Sequence, residues 1–344
     1  ARGGEGAHGR RRDRHELDHG IHPPGGCGDA DDVMAAPFRI SSFIPRLIDQ
    51  GSKKPYERMF EAAEMLDRLG FHTGYIGHHS FTSDTPDASA PMVVLGALAS
   101  RTENLRLGTG IYLAALHHPA NVIEQVSQVD QVSGGRVTLG VGVGYRPYEY
   151  AGYNVDFGSR GRRLTDMVRC MKHAWSTGRH GWQSEFFDIP DNLVDPPCVQ
   201  KPHPPILGGG TSTSGIKRAA TVCDGWLSLP METLPVVKDL ADSYRRQCAA
   251  AGVTPYICLM RETWAAPTQE IVEEQWFGPA RAFHKYYWHA GTRGDAEDPV
   301  LQRVAHDEEV GFREFVRNRA IAGTPEMCID EINRWHEAIG FDEL

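Results

Sequence analysis

Apolar positions in this chain alternate between short clustered runs and longer runs at helical spacing, and the stretch from residue 105 to 145 shows both. Two runs of small and β-branched residues there flank a segment whose apolar side chains recur at helical spacing. These apolar residues are Val122, Ile123, Val126, Val129 and Val132. Pro119 stands where a helix can begin, and Gly134 and Gly135 follow its end. The pattern predicts a strand–helix–strand unit, in which parallel strands are joined by a right-handed crossover.

The same alternation extends along most of the chain. Strand-like runs fall at residues 38–43, 71–77, 105–112, 136–143, 204–207, 225–229 and 256–263. Helical patterns fall at residues 55–69, 90–99, 119–132, 161–175, 234–251, 271–289 and 325–338, and a further helix contains Ile216, Ala219 and Ala220. Strands that alternate with helices at this spacing predict an α/β fold.

The end of the chain is the irregular part of this pattern. Gly340 and Phe341 introduce an eighth strand, which stops at Leu344 before a closing helix. Eight strand–helix units predict a (β/α)8 TIM barrel with insertions, in which the eighth strand and helix are truncated. We therefore expect an open edge between the seventh and first strands, which is a liability for stability and aggregation.

The first 36 residues differ in composition from the rest. They are rich in Arg, Gly and His and have almost no apolar periodicity, which is typical of a solvated tail rather than a nucleic-acid or metal site. We interpret residues 1–36 as a disordered N-terminal tail or translated leader, with Met34 as a natural start. Residues 37–344 form one barrel domain in this interpretation, and the chain's 40% hydrophobic content can fill a sizeable core.

Charge and cysteine content argue against several functions. The 36 basic and 45 acidic residues give a formal charge of -9, which disfavours nucleic acid as a partner. No apolar run is long enough to span a membrane, and no signal peptide is evident. The 7 cysteines are scattered without a C-x-x-C pair, which is typical of a reduced, cytoplasmic protein. No metal site is expected, because H-E-x-x-H is absent.

The clearest candidate site is the run G-G-G-T-S-T-S at residues 208–214, which follows a predicted strand and opens a predicted helix. Glycines at a strand end let backbone amides face outward, and a helix N-terminus attracts a phosphate through its free N–H groups. Thr211 and Ser212 add hydroxyl donors. The run indicates a phosphate site, with a flexible glycine-rich turn as the alternative. It is not a dinucleotide fingerprint, because the G-x-G-x-x-G spacing is missing.

A histidine pair, His78 and His79, follows the second predicted strand within G-H-H-S. Residues just after the strands form the site of a barrel, and a histidine there can titrate near neutrality and transfer protons. We predict that His78 is the catalytic residue, with His79 behind it. The alternative is a hydrogen-bonded structural histidine.

The block S-G-G-R-V-T-L-G-V-G-V-G-Y at residues 133–145, with H-H-P upstream and R-G-R-R-L downstream, resembles the bacterial luciferase-like flavin-dependent monooxygenases. Further blocks match in order from about residue 38 to the C-terminal end. The resemblance implies the same barrel and an enzyme that uses reduced FMN, supplied by a partner flavin reductase. The flavin would react with O2 to a C4a-peroxide that oxygenates a small organic substrate, apolar or aromatic. Members of the family commonly form homodimers.

Two alternatives remain open. A sister branch with the same barrel uses a deazaflavin and performs hydride transfer without oxygen chemistry. Other relatives bind flavin without turnover, and two departures favour this non-catalytic alternative. One is the truncated end. The other is Gly77, because the matching luciferase motif reads E-H-H-F and has an acidic residue there.

The resemblance also predicts which residues hold the cofactor. They are Thr109, Gly110, Gly142, Gly144, Tyr145, Arg146, Gly209, Gly210, Thr211 and Ser212. Of these, Gly210, Thr211 and Ser212 would bind the phosphate. A non-prolyl cis peptide beneath the flavin ring would correspond to Gly110-Ile111, and Tyr145 would pack against or hydrogen-bond the isoalloxazine. Luciferase has a phosphate-binding arginine at the position of Val143 and a reactive cysteine at that of Gly142, and neither carries over.

Arg146 has two interpretations. It either replaces part of the lost positive charge or binds an anionic substrate, or else it pairs with Glu149 on the surface. Two neighbouring landmarks have structural roles in our interpretation, because His118 would position a helix start and Trp226 would pack rather than react.

An aromatic group near residue 280 lies where family members carry a mobile insertion over the substrate. Its members are Trp276, Phe277, Phe283, Tyr286, Tyr287 and Trp288. As a lid, the group would indicate an apolar or aromatic substrate and the exclusion of water. The alternative is a packed helix face. Trp276, Phe277, Tyr286 and Trp288 are the lid candidates.

Overall fold

The computed structural model describes residues 37–46, 56–82, 85–291 and 298–344. The predicted tail, with Met34 and Cys27, lies outside these residues. The strands are β1 (Ser42–Phe43), β2 (Thr73–Ile76), β3 (Arg106–Tyr112), β4 (Val137–Val141), β5 (Trp182–Gln183), β6 (Asp188–Ile189), β7 (Ile206–Gly209), β8 (Gly225–Leu227), β9 (Ile257–Cys258), β10 (Thr263–Ala265) and β11 (Ile321–Gly323). The α-helices are α1 (Glu57–Arg68), α2 (Pro91–Ala99), α3 (Pro119–Ser133), α4 (Pro147–Gly152), α5 (Arg160–Thr177), α6 (Thr213–Thr221), α7 (Leu234–Ala251), α8 (Gln269–Val272), α9 (Gly278–His289), α10 (Pro299–Ala305), α11 (Phe312–Val316) and α12 (Pro325–Ile339).

The main sheet has seven strands in the order β1-β2-β3-β4-β7-β8-β9. Every neighbouring pair is parallel. Helices connect most of these strands, so that strands adjacent in the sheet follow one another along the chain. This is the arrangement of a (β/α)8 barrel, and the predicted α/β fold class is confirmed.

The C-terminal segment, residues 341–344, lies between the two edge strands of this sheet. Glu343 forms parallel bridges to Arg39, beside β1, and to Cys258 in β9. The N–H of Leu344 donates to the Arg39 carbonyl at 2.9 Å. The eighth strand is therefore short but paired on both sides. The open edge expected from the sequence is wrong, because four residues in register are enough to satisfy both neighbours.

Helix α3 shows why the sequence could be assigned so closely. Pro119 is its first residue, and His118 is its N-cap, whose Nδ1 accepts a hydrogen bond from the Ala120 N–H at 3.3 Å. Gly134 ends the helix with a left-handed φ of 67°. The predicted role of His118 is confirmed. Val132, at the end of the apolar series, is exposed rather than buried.

The seventh predicted strand, residues 256–263, is divided. β9 belongs to the barrel, whereas β10 pairs in parallel with β11 in a separate two-stranded sheet. Arg261 causes the division, because its buried guanidinium donates to the carbonyls of Leu229, Pro230 and Glu232 in the loop after β8. Its cation also lies 4.4 Å from the Trp335 ring. The turn-rich stretch after α5 holds an antiparallel hairpin, β5–β6, that the sequence pattern did not predict.

The core lies between the sheet and the helices. One cluster packs α2, α3 and α5 onto β2 to β4, with Leu95, Ile123 and Leu139 fully buried. A second cluster joins α6, α7 and α12 around Trp226 and Trp335. Packing on both sides fixes the strands and therefore the positions of the loops that follow them.

Candidate functional site

The loops after four neighbouring strands meet at one edge of the barrel. β2 leads into residues 77–80, β3 ends at Tyr112, β4 leads into residues 142–146, and β7 leads into residues 210–212. Because these strands are parallel and adjacent, their carboxyl ends share the same edge. The predicted histidine, glycine and tyrosine positions therefore belong to one region.

The predicted phosphate site is the N-terminus of α6. Ser212 is the N-cap, and its Oγ accepts a hydrogen bond from the Gly215 N–H at 3.1 Å. Gly210 has a φ of 140°, where glycine is favoured. Trp226 is fully buried and its Nε1 donates to the Gly210 carbonyl at 2.9 Å, so the prediction that Trp226 packs is confirmed. Thr211 is partly exposed, and the accessible first turn of such a helix attracts anions.

The end of β3 carries the predicted cis peptide. The Gly110-Ile111 bond is cis, which confirms that prediction. A Cβ atom at Gly142 would lie 1.8 Å from Ile111 Cδ1, and one at Gly209 would lie 3.0 Å from its Cγ2. Ile111 therefore fills the space that these glycines leave. Thr109 is buried within the sheet and its Oγ1 donates to a carbonyl of β4 at 2.8 Å.

The two histidines after β2 have different surroundings, and His78 is the buried one. Its Nδ1 accepts a hydrogen bond from the Leu113 N–H at 3.2 Å, and its Nε2 lies 3.3 Å from Ser80 Oγ. The Tyr112 and His117 rings stack on it. Burial lowers the pKa of His78 to about 3, so the imidazole is neutral near pH 7. This arrangement favours the structural interpretation of His78.

The His79 imidazole lies between a carboxylate and a phenol. Its Nδ1 is 3.0 Å from Glu149 Oε1, and its Nε2 is 3.4 Å from the Tyr145 hydroxyl. The same Glu149 oxygen accepts a hydrogen bond from the Ser80 N–H at 2.7 Å. Burial raises the pKa of Tyr145 to about 12, so its hydroxyl keeps its proton at neutral pH. His79 is thus the histidine that contacts the loop after β4.

Asp87 brings a second acidic group to the histidine pair. A Cβ atom at Gly77 would lie 1.8 Å from Asp87 Oδ1, so no larger residue fits at position 77 without moving this carboxyl group. Burial raises the pKa of Asp87, and the nearby His79 and Arg146 oppose that shift. The acidic side chain that is missing at Gly77 is therefore present from another segment. The sequence analysis identified neither Asp87 nor the role of Glu149, because neither stands in a recognisable motif.

Arg146 links the loop after β4 to helix α9. Its guanidinium donates to the hydroxyls of Tyr148 at 2.8 Å and Tyr286 at 2.5 Å. The interpretation of a surface pair with Glu149 is wrong, because Glu149 is fully buried and Arg146 is 5% exposed. Its cation also lies 5.4 Å from the Tyr145 ring.

The aromatic group on α9 and the turn before it divides into two parts. Tyr286 bonds Arg146, and the Tyr287 ring lies 6.4 Å from that of Tyr145. These two side chains face the strand ends. The rings of Trp276 and Phe277 pack instead against Phe312 and Phe315 in a separate core, as the packed-face interpretation expects. Trp288 is partly buried, and Gly144, with a φ of 68°, abuts Leu113.

The described residues contain neither a metal-binding cluster, nor a membrane-spanning helix, nor a disulfide. They contain no group of three or more His, Cys, Asp or Glu that could hold a metal ion. No helix among them is long and apolar enough to cross a membrane. The six cysteines within the described ranges are free thiols.

Comparison with known proteins agrees with this geometry. The sequence model of the luciferase-like monooxygenase family matches residues 37–343. The oxygenase component of a flavin-dependent trigonelline monooxygenase from Acinetobacter baylyi is 27% identical over 325 residues, which cover 89% of this chain and 88% of that protein.

Two solved structures share the fold. The oxygenating constituent of 3,6-diketocamphane monooxygenase from Pseudomonas putida, solved with FMN, superposes with a TM-score of 0.71 at 18% identity, covering 89% of this chain and 90% of that one. An F420-dependent secondary alcohol dehydrogenase superposes with a TM-score of 0.71 at 18% identity, covering 89% and 92%. The resemblance found in the sequence is confirmed, and the chain is an enzyme that belongs to the luciferase-like monooxygenase family.

Proposed function

We propose that the protein is the oxygenase component of a two-component monooxygenase that uses reduced FMN and O2 on a small organic substrate. The observation that carries the proposal is the continuity between two features at one barrel edge. These are the accessible N-terminus of α6, which follows Gly210, and the end of β3, where the Ile111 side chain lies over Gly142 and Gly209. Together they present an anion site beside an apolar strand end, which fits a flat phosphorylated cofactor.

The residues present fit FMN. Gly210, Thr211 and Ser212 would hold the phosphate, because their backbone and hydroxyl groups surround the start of α6. The ring would lie near Ile111, Gly144 and Tyr145. When bound and reduced, the flavin supplies the reaction with O2. The protein's own share is to orient this ring, to exclude water and to hold a proton at the histidine that faces Tyr145.

The substrate would bind between the strand ends and α9. Tyr145, Tyr286 and Tyr287 bring aromatic rings together there, and Arg146 fixes α9 over the loop after β4. Aromatic rings favour an aromatic or apolar substrate, and a covering helix keeps water from the reacting atoms. The name of the Acinetobacter baylyi relative, trigonelline monooxygenase, gives a small aromatic substrate for that protein. A separate flavin reductase and a homodimeric, cytoplasmic state complete the proposal.

A deazaflavin-dependent oxidoreductase is the second candidate. The observation that favours it is the fold shared with the F420-dependent dehydrogenase over 89% of this chain. Such an enzyme would perform hydride transfer without oxygen, at the same barrel edge. A non-catalytic flavin-binding homologue is the third candidate, and the paired C-terminal segment removes one of the two arguments for it.

A ligand titration with one matched pair of variants tests the proposal. Thermal unfolding and absorbance are followed with FMN, with anaerobic reduced FMN and with a deazaflavin. Reduced FMN at a hundredfold excess over its Kd should stabilise the protein by about 2.7 kcal/mol. Ser212→Asp keeps an N-cap but places a carboxylate at the phosphate, so the affinity should fall at least about tenfold. Thr324→Asp makes the same change at the N-cap of α12 and should bind like the wild type.

The other outcomes separate the candidates. Preferential stabilisation by the deazaflavin would move the protein to the hydride-transfer branch. Flavin binding without any oxidation of an aromatic substrate panel would favour the non-catalytic homologue. Equal binding by Ser212→Asp and Thr324→Asp would show that the phosphate lies elsewhere.

A further inference from the structure

We propose that Glu149 is a positioning residue for His79, and that Glu149, His79 and Tyr145 form a proton relay at the mouth of the barrel. The inference rests on the proposed function in one respect, because the relay would serve the substrate bound beneath α9. Its geometry stands without that substrate.

The burial of Glu149 is the first argument. The side chain lies on α4 with 0% exposure. Its Oε1 lies within hydrogen-bond distance of His79 Nδ1 and accepts a hydrogen bond from the Ser80 N–H. Its Oε2 is buried and has no hydrogen-bond partner among the described residues. A buried carboxylate oxygen without a donor costs stability, and a neutral residue could hold the Ser80 N–H equally well. The carboxyl group therefore needs another explanation, and the imidazole in contact with it provides one.

The hydrogen-bond directions are the second argument. An ionised carboxylate only accepts, so His79 Nδ1 carries the hydrogen and donates to Glu149. His79 Nε2 then presents its lone pair to the Tyr145 hydroxyl at 3.4 Å. This fixes one tautomer and one ring orientation, in the way that a carboxylate orients the histidine of a catalytic triad.

The proton path follows from these directions. The relay applies to a substrate that carries an O–H group: the Tyr145 hydroxyl passes its proton to His79 Nε2 while it takes one from that group. The phenol ends neutral, the substrate oxygen becomes negative, and the imidazole becomes positive beside the Glu149 carboxylate. The reverse transfer returns the proton at the end of the cycle. Tyr145 suits the middle position, because burial keeps its hydroxyl protonated at neutral pH.

Other charged and titratable groups around His79 come from several elements. Asp87 precedes α2, and Arg146 follows β4 with its cation 5.4 Å from the Tyr145 ring. Tyr287 approaches Tyr145 from α9. The neighbouring His78 stays neutral. Among these groups Glu149 is the one in direct contact with the His79 ring nitrogen that faces away from the substrate region.

The test replaces the charge and keeps the shape. Glu149→Gln retains an oxygen that accepts from both His79 and Ser80, so the hydrogen-bond geometry is kept and only the charge is lost. The titration of the His79 ring is followed by NMR on protein labelled with 15N at the imidazoles, without cofactor, and His79→Gln assigns the signal. Loss of the adjacent negative charge destabilises the imidazolium. The relay therefore predicts a lower midpoint in Glu149→Gln.

The chain offers a matched control in a second histidine–glutamate pair. His180 Nε2 lies 2.8 Å from Glu124 Oε1, and this pair joins α3 to the segment after α5 without a direct contact to His79 in the hydrogen bonds described above. Glu124→Gln should leave the His79 midpoint unchanged. In stopped-flow turnover of a hydroxylated aromatic substrate by protein with bound reduced FMN, the pH profile should shift in Glu149→Gln by the same amount as the NMR midpoint. The double variant with His79→Gln should show no further loss.

Several results would overturn the relay. A Glu149→Gln midpoint within the error of the wild type would show that no charge on Glu149 acts on His79, and a shifted midpoint with an unshifted kinetic pH profile would show that the contact is structural. If this variant does not fold, the wild type decides, because a neutral His79 with the hydrogen on Nε2 contradicts the proposed directions. The NMR result stands even if no flavin binds, so failure of the proposed function and failure of the relay are distinguishable.

Discussion

A buried carboxylate ties the C-terminal segment to the strands on both sides, and its removal is predicted to weaken the whole barrel. Glu343 accepts hydrogen bonds from the hydroxyls of Ser41, of Tyr75 at 3.0 Å and of Tyr256 at 2.6 Å. Its exposure is 2%. Tyr75 is on β2, and Tyr256 directly precedes β9. One side chain therefore connects segments that are far apart in the sequence.

The size of the effect follows from these contacts. Glu343→Ala leaves the buried Tyr75 hydroxyl without its acceptor, at roughly 1–3 kcal/mol, and the half-buried hydroxyls of Ser41 and Tyr256 at less each, and it also creates a small cavity. Water and side-chain movement will satisfy part of this loss. We expect a decrease of about 3–5 kcal/mol in the free energy of unfolding, which is a large part of the stability of a typical domain. Glu343→Gln keeps the shape and one acceptor and should cost about 1–2 kcal/mol.

Urea unfolding followed by far-UV circular dichroism measures these differences. Glu337→Gln, at an exposed position of α12, is the control and should stay within about 0.5 kcal/mol of the wild type. If Glu343→Ala is no less stable than this control, the carboxylate does not hold the C-terminal segment in place. A loss confined to Glu343→Ala, with Glu343→Gln at wild-type stability, would show that hydrogen bonding without charge is sufficient.

Two further predictions concern a close backbone contact and acid stability. A Cβ atom at Gly140 would lie 2.0 Å from the Thr109 carbonyl oxygen, so Gly140→Ala should lower the free energy of unfolding in urea by about 3 kcal/mol or more. Gly96→Ala is the control, because no described heavy atom lies within 4 Å of the added Cβ, and it should raise that free energy by about 0.5–1 kcal/mol. Equal effects of the two variants would contradict the assigned packing. Burial lowers the pKa of His78 to about 3 and that of His117 to about 4. As the pH falls, these histidines therefore bind protons in the unfolded chain before they do so in the folded protein. The free energy of unfolding should decrease as the pH drops from about 6.5 towards 4, by up to about 1.4 kcal/mol per pH unit for each histidine. His117→Gln should reduce that slope by one proton in urea titrations at pH 7.5, 6 and 5, and an unchanged slope would mean that His117 is accessible when folded.

The barrel was predictable where local signals and packing agree. The limits of α7 match the prediction, and α3 differs by one residue, because proline, glycine and apolar spacing all mark the same ends. The prediction failed where a single long-range contact decides. Arg261 diverts the chain after β9 through carbonyls about 30 residues away, and no local pattern shows this. Pairing by residues 341–344 depends on both edge strands and was equally invisible.

In the candidate site, too, features set by the local backbone were predictable and features set by long-range contacts were not. The glycines were predictable, because they depend on the backbone near one strand end, whereas the cis peptide was predicted from the family resemblance. The acidic groups were not, since Asp87 and Glu149 reach the histidines from separate elements. In the sequence, Gly77 suggests that the acidic residue of the family motif is lost. In the structure, the Asp87 carboxyl group occupies the space that a side chain at position 77 would need. A missing motif residue is therefore weak support for lost activity when the fold can bring the same chemical group from elsewhere. Which carboxyl group acts on which histidine depends on contact geometry, and that geometry assigns Glu149 to His79.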